Sequence, residues 1–245
     1  MEPVIYIPFK NTALDYAGGH LVSRGITATA MPGSDVTHLL LPVPGFDLGG
    51  DLDDILQQLP DDICIISGSI QHPSLEKYQR IDLLQNPFYV AENAAITAHC
   101  ALKYILNALP VTMADLPVLI IGWGRIGKCL ARLLINLDAS VTVFARKESD
   151  RAMAQALGYG TIRPEADLSR FRVIVNTAPA PVFSEAQIEQ SGKDCYKLDL
   201  ASVKGLSGPD VVWARGLPGK DAPESSGNLI AHTIIGKLQG KEFTA

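Results

Sequence analysis

Short apolar runs alternate with stretches of helical periodicity along the whole chain. The apolar runs predict strands, and apolar residues that recur every three to four positions predict helices. The predicted strands are Val4–Pro8, Ile26–Ala30, His38–Leu41, Ile63–Ile66, Val118–Ile121, Ser140–Ala145, Arg172–Asn176, Cys195–Leu200 and Val211–Ala214. The predicted helices are Asn11–Arg24, Asp51–Leu59, Ala91–Leu109, Ile126–Leu137, Asp150–Leu157, Ser184–Gln190 and Ser226–Leu238. This alternation indicates an α/β protein with parallel sheets and right-handed crossovers.

The longest helix of the first half, Ala91–Leu109, stops before Pro110 and separates two series of strand–helix units. The chain has 245 residues, and at roughly 150 residues per domain this length predicts one large domain or two small ones. We therefore predict an N-terminal α/β domain over 1–110 and a second domain over 111–227. The final segment, 228–245, can cross back to complete the N-terminal domain.

Composition and charge argue against several classes of function. Lys and Arg number 21 against 26 Asp and Glu, a net charge of −5, so no general basic field exists for nucleic acid or an anionic membrane. No apolar run approaches the ~18 residues of a membrane span, and the start, Met-Glu-Pro-Val-Ile, lacks the basic region of a secretory signal. The four cysteines form no CxxC pair, which favours free thiols in a reducing cytoplasm over disulfides or a metal site.

A glycine-rich motif follows the strand Val118–Ile121. Its residues form a GxGxxG sequence that opens a helix with one apolar face: Gly122, Trp123, Gly124, Arg125, Ile126 and Gly127. This context is typical of the dinucleotide fingerprint, in which the glycines allow a tight turn, close approach of the pyrophosphate and close helix–strand packing. The pyrophosphate then binds the free N–H groups at the helix start. The alternative is a glycine-rich turn that binds nothing.

The end of the next strand bears on which dinucleotide binds. An acidic residue about 20 residues beyond the glycines binds the ribose 2′-OH of NAD, but here the strand runs into Ala145, Arg146 and Lys147. A small residue and two cations leave room for a 2′-phosphate and attract it, and arginine can bind it bidentately. We therefore predict NADP as the cofactor. NAD is the alternative, with Arg146 and Lys147 as ordinary solvated charges.

Polar residues follow three further strands, at the sheet edge where ligands of open parallel sheets bind. One loop is expected along the ribose and diphosphate of the cofactor: Asn176, Thr177, Ala178 and Pro179. Ser202, Lys204 and Lys220 are the candidate catalytic residues, and the lysines can supply positive charge for a carboxylate-bearing substrate. Taken singly, each such lysine is more often a solvated loop charge, and Ser202 more often caps a loop.

These blocks resemble the dipicolinate synthase A-subunit family. The similarity runs in order over about residues 117–240, through Gly122–Gly127, Thr142–Lys147, Asn176–Ala180, Asp199–Ser202 and Gly216–Pro223. The last block, with Gly-Leu-Pro-Gly-Lys, is the most distinctive. The resemblance implies two Rossmann-like domains, of which the C-terminal one binds NAD(P) and the N-terminal one serves substrate binding and catalysis.

The resemblance also implies an activity. It is the oxidation of a cyclic dicarboxylate of the dihydro- or tetrahydrodipicolinate type, in the cytoplasm of a spore-forming bacterium. The smaller dipicolinate synthase B-subunit is the implied partner, and we expect a homo-oligomer.

Two departures mark the chain as a divergent relative of that family. Residues 203–210 differ from the family's usual x-Pro-Gly-Gly-x-Asp continuation, and the N-terminal half is shorter, mostly around Pro42–Asp51. Moreover, no histidine lies in the loop 215–227 to serve as acid and base in alcohol oxidation. A dehydrogenase of another small carboxylate and a non-catalytic dinucleotide sensor or scaffold are therefore the alternatives.

Overall fold

The computed structural model describes residues 2–43, 51–68 and 70–240. The chain divides into two compact units: unit 1 comprises Met1–Asn93 with Pro218–Ala245, and unit 2 comprises Ala94–Leu217. Most of the region around 42–51, where the sequence is expected to be shorter than in the dipicolinate synthase A-subunits it resembles, and the end of the 228–245 segment lie outside the described residues.

All strand pairings among the described residues are parallel. The strands are β1 (Val4–Tyr6), β2 (Thr27–Thr29), β3 (His38–Leu40), β4 (Cys64–Ser67), β5 (Gln79–Asp82), β6 (Pro117–Ile121), β7 (Ser140–Phe144), β8 (Gly160–Thr161), β9 (Val173–Asn176), β10 (Tyr196–Asp199) and β11 (Val211–Trp213). The helices are α1 (Thr12–Ser23), α2 (Asp51–Leu56), α3 (Pro87–Ala108), α4 (Arg125–Ile135), α5 (Glu148–Ala156), α6 (Glu185–Glu189), α7 (Leu217–Asp221) and α8 (Pro223–Leu238). The predicted α/β fold with parallel sheets is confirmed.

The sheet of unit 1 has the strand order β2-β1-β3-β4-β5, so the order reverses between β1 and β3. Leu39 on β3 and Ile65 on β4 are fully buried in its core. Helix α8 packs along α1, and Gly227 permits the close approach, because a Cβ there would lie 2.6 Å from the Cβ of Tyr16. Unit 1 is therefore built from both ends of the chain.

The sheet of unit 2 has the strand order β11-β10-β9-β6-β7-β8. This is the Rossmann order, in which the direction of the connections reverses between the first strand, β6, and the fourth, β9. Leu119 and Ile174 on these two strands are fully buried, and Phe144 and Phe183 pack edge to face with ring centroids 5.0 Å apart. Because the strands are parallel, the loops that follow β6, β7, β9 and β10 meet at one edge of the sheet.

Helices α3 and α8 show the largest differences between the predicted and the observed helix starts. Helix α3 begins at Pro87 and α8 at Pro223, because proline has a helical φ and its missing N–H needs no partner in the first turn. The side chain of Asn86 caps α3 by accepting hydrogen bonds from the following N–H groups. Strand β5 is missing from the predicted strands because its sequence, Gln-Arg-Ile-Asp, has a single apolar residue.

We compared the length and hydropathy of the helices in the described ranges with what a membrane span requires. Not one of them is both long enough and apolar enough to cross a bilayer.

Candidate functional site

The turn between β6 and α4 requires glycine at two positions. Gly122 has a φ of +103°, and a Cβ there would lie 2.5 Å from Oγ1 of Thr177. A Cβ on Gly127 would overlap the carbonyl oxygen of Gly122. The first turn of α4 therefore lies directly against the end of β6, which is the close packing that the motif predicts.

The start of α4 leaves its N–H groups open. Gly124 is the N-cap residue, and within the described residues no side chain caps the first N–H groups of the helix. Gly124 and Arg125 are exposed, and a Cβ on Gly124 would meet nothing within 4 Å. Free N–H groups and the positive end of the helix dipole together favour a phosphate group. This arrangement fits the pyrophosphate of a dinucleotide.

The remaining residues of the motif are partly engaged in packing. Trp123 is buried, and its ring lies edge-on to Tyr159 with centroids 5.3 Å apart. Nζ of Lys128 lies 5.9 Å from the centroid of the same indole ring. Ile126 is half-buried. The indole of Trp123 therefore fills space inside unit 2, and its main chain is the part that continues the glycine turn.

The end of β7 presents cations at the same sheet edge. Ala145 is buried, whereas Arg146 and Lys147 are exposed. Nη1 of Arg151, on α5, donates hydrogen bonds of 2.7 Å to the carbonyl oxygens of Ala145 and Arg146, which fixes the main chain of this turn. No acidic residue occupies the position after β7. The site therefore offers positive charge where an NAD-specific site offers a carboxylate.

The loop after β9 is tied to its neighbours. Asn176 is buried, and its Nδ2 donates to the carbonyl oxygen of Ala178 and to Oδ1 of Asp199, each at 2.9 Å. Oγ1 of Thr177 donates to the carbonyl oxygen of Ile121 at 3.1 Å. The Asn176 amide is therefore occupied by protein groups. The more exposed part of this predicted cofactor loop is Thr177, Ala178 and Pro179.

The three candidate catalytic residues are divided between the units. Ser202 and Lys204 are exposed in the loop after β10, at the same sheet edge as the glycine turn. Lys220 is exposed on α7, in the C-terminal part of unit 1. The structure therefore groups Ser202 and Lys204 with the predicted cofactor residues of unit 2, and it places Lys220 in the other unit.

Two residues that organise this edge are absent from the predicted site. Arg151 fixes the turn after β7, and Asp199 accepts hydrogen bonds from two loops. The available signal for Asp199 is an acidic residue directly after the apolar positions of a strand, since a buried carboxylate needs donors from the protein. Arg151 lies on a polar helix face and gives no such signal.

Comparison with known proteins identifies relatives of the chain. No family model matches it. The dipicolinate synthase A-subunit of Bacillus subtilis is 24% identical over 73% of this chain and 67% of that protein. The crystal structure of the dipicolinate synthase A-subunit from Bacillus halodurans has a TM-score of 0.81 at 20% identity and covers 98% of both chains.

The solved structure of a dehydrogenase shares the fold. Salmonella D-lactate dehydrogenase has a TM-score of 0.65 at 13% identity, over 100% of this chain and 98% of that chain. The fold is thus that of two-domain Rossmann-type dehydrogenases. The chain resembles the dipicolinate synthase A-subunit family in both sequence and fold, which confirms the resemblance expected from its motifs.

Proposed function

We propose that the protein is an NADP-dependent oxidoreductase. The observation that carries the proposal is the open N-terminus of α4, which follows the first strand of a Rossmann-ordered sheet and is capped by Gly124 without a side chain. The main-chain N–H groups there would hold the pyrophosphate. When bound, the nicotinamide would accept or donate a hydride.

The preference for NADP over NAD rests on the turn after β7. Arg146 and Lys147 would bind the 2′-phosphate, and the two hydrogen bonds from Arg151 hold the turn in place for them. A guanidinium binds phosphate through paired, charge-assisted hydrogen bonds, so Arg146 would contribute most. Thr177, Ala178 and Pro179 would lie along the ribose and diphosphate.

For the substrate, we propose a cyclic dicarboxylate of the dihydro- or tetrahydrodipicolinate type. The resemblance to the dipicolinate synthase A-subunit supports this class. Each oxidation removes a hydride and a proton from the ring, and aromatisation favours the product. Lys204 would pair with a carboxylate of the ring and Ser202 would donate a hydrogen bond to the substrate. Residues 1–110 would contribute to substrate binding, and 111–227 would bind the cofactor.

Assembly and location complete the proposal. The resemblance supports a smaller partner similar to the dipicolinate synthase B-subunit. We further propose a homo-oligomer in the bacterial cytoplasm.

The decisive experiment is turnover. Purified protein is mixed with NADP⁺ and freshly generated dihydrodipicolinate, with and without a homologue of the smaller partner, and both NADPH and pyridine-2,6-dicarboxylate are measured. We expect equal amounts of the two products. Tight NADP(H) binding without turnover would support a dinucleotide sensor, whereas turnover of another small carboxylate alone would retain the cofactor assignment and overturn the substrate.

A further inference from the structure

One buried carboxylate joins two loops at the carboxyl edge of the unit 2 sheet. Asp199, the last residue of β10, is 0% exposed. Its Oδ1 accepts hydrogen bonds from Nδ2 of Asn176 and from the N–H of Ala201, each at 2.9 Å. Its Oδ2 accepts from the N–H groups of Gly205 at 2.7 Å and Leu206 at 2.8 Å. Both oxygens are thus supplied with two donors each, which is the full capacity of a carboxylate.

The two loops also touch directly at Gly205. A Cβ there would lie 2.6 Å from Nδ2 of Asn176 and 2.8 Å from the carbonyl oxygen of Ala178, so these loops approach more closely than any side chain would permit. On the other side, Nε1 of Trp213 donates to the carbonyl oxygen of Ala201 at 3.0 Å. The segment 201–205 of the loop after β10 is therefore held at both ends, by β11 and by β10.

Between these fixed ends lies a tip of three residues, Ser202–Lys204. All three are exposed, and Val203 is 60% exposed. A three-residue tip with both ends held has little main-chain freedom, so the directions in which its side chains leave the main chain are fixed. Placing a reacting group within a fraction of an ångström is worth much in catalysis.

We propose that Asp199 is a positioning residue, which holds the tip Ser202–Lys204 in the orientation that meets the substrate. The inference rests on the proposed function, because that function places the substrate against this tip. Asp199 is fully buried and its two oxygens are occupied by protein donors, so it acts through the loop and contacts neither substrate nor cofactor.

The test replaces the carboxylate by an amide of the same size, Asp199→Asn. Whichever oxygen becomes an NH₂ group, two protein donors then face a donor instead of an acceptor. We expect the amides of residues 201, 205 and 206 to exchange hydrogen about tenfold faster, and kcat/KM for the dicarboxylate to fall about 100-fold. The Kd of NADPH should change far less than kcat/KM, because the Asn176 side chain keeps its hydrogen bonds to the carbonyl oxygen and the N–H of Ala178 within the cofactor loop. Asp194→Asn makes the same chemical change on a side chain that is 90% exposed and should alter none of these quantities.

Two results would overturn the proposal. One is unchanged hydrogen exchange over residues 201–206 in the Asp199→Asn protein. The other is a loss of NADPH affinity as large as the loss of kcat/KM, because general loosening of unit 2 would weaken both. Hydrogen exchange can be measured without turnover. If the unmodified protein does not oxidise the dicarboxylate but Asp199→Asn still speeds up exchange over residues 201–206, the proposed function is refuted and the role of Asp199 in holding the loop stands.

A second variant covers the case in which Asp199→Asn does not fold. Trp213→Phe keeps an aromatic ring beneath the Arg215 guanidinium, which lies 5.1 Å from the indole centroid, at a position that is 43% exposed, and removes the hydrogen bond to Ala201. We expect faster exchange over 201–206 and a smaller fall in kcat/KM in the same direction. Faster exchange over 201–206 without any fall in kcat/KM would contradict the positioning role, because order in the tip would then not matter for turnover.

Discussion

The two units begin with the same arrangement of a strand followed by a helix, and they differ in the residue that caps this helix. In each, the first strand lies where the strand order reverses, and a helix follows it. In unit 1 the side chain of Asn11 caps that helix, α1, and accepts hydrogen bonds from the N–H groups of Ala13 at 2.9 Å and Leu14 at 3.3 Å. In unit 2 the cap of the corresponding helix, α4, is Gly124, which has no side chain to offer.

This difference explains why the turn before α4 in unit 2 is a candidate for binding a dinucleotide and the turn before α1 in unit 1 is not. A helix start whose N–H groups are bonded to its own cap is stabilised by about 0.5–2 kcal/mol but has fewer donors left for a ligand. A glycine cap gives up part of that stability and leaves the donors free. Two units of similar fold therefore differ in their chemistry, because in one of them a side chain already bonds the main-chain N–H groups that a ligand would use.

The largest expected effect comes from making the unit 2 turn resemble that of unit 1. Gly124→Asn should bond the first N–H groups of α4, and Gly124→Asp should add a negative charge there. Loss of two charge-assisted hydrogen bonds predicts a roughly 100-fold weaker Kd for NADPH, measured by calorimetry. The fold should persist, since a Cβ at this position meets no atom within 4 Å. Gly124→Ala is the control, and equal NADPH affinity in all variants would discard the assignment.

A second pair of variants compares a confined glycine with an unconfined one. Gly127→Ala should reduce the free energy of unfolding by about 1–3 kcal/mol, because the new methyl group overlaps the Gly122 carbonyl. Gly19→Ala, on α1, should raise it by about 0.5–1 kcal/mol, because nothing lies within 4 Å of a Cβ there and alanine favours a helix. Denaturant unfolding measures both changes. Equal effects of the two substitutions would show that Gly127 is not confined.

A third variant tests the preference for NADP over NAD, which rests on the turn after β7. Arg146→Glu should weaken NADPH binding about 10- to 30-fold by loss of a charge-assisted phosphate contact, while NADH affinity changes by less than about threefold. Arg163→Glu, on an exposed residue outside the predicted site, is the control. An equal loss for both dinucleotides would argue against a 2′-phosphate at this position.

The smallest expected effect is a loss of folding stability at acidic pH, which should arise mainly in unit 1. Burial lowers the pKa of His38, and burial followed by the nearby His20 and Arg24 lowers the pKa of His232. The unfolded chain titrates near 6.5, so it binds more protons than the folded chain just below that pH. This contribution to stability is therefore present above about pH 6.5 and lost as the pH falls through the lower folded-state values.

Thermal unfolding at pH 7.5 and pH 5.5 measures this dependence. A protein with His38→Asn and His232→Gln should lose less of its Tm between the two conditions than the unmodified chain. His99→Gln, on an exposed residue of unit 2, is the control. A double variant with the full loss of Tm would refute the role of these two histidines.

Local signals in the sequence were sufficient for most strands and helices and for the glycine turn. The turn is local because Gly122 and Gly127 meet each other across five positions of chain, so spacing alone carries the geometry. The starts of α3 and α8 were also encoded locally, by Pro87 and Pro223, but apolar periodicity ignores proline at the first helical position.

Contacts between residues far apart in the chain could not be predicted from such local signals. Asp199 collects donors from Asn176 and Leu206, and α8 packs on α1 from the other end of the chain. Neither contact leaves a periodic pattern, because each depends on where the folded strands and helices bring remote residues. The same holds for Lys220, which follows unit 2 in sequence and belongs to unit 1.

The most direct test of the central claim is a hydrogen-exchange footprint of saturating NADPH on both helix starts. We predict strong protection of peptides covering residues 122–130, at the glycine-capped start of α4, and no change in peptides covering 9–16, at the start that Asn11 already caps. Protection confined to residues 9–16, or no protection at 122–130 when NADPH is demonstrably bound, would contradict the claim.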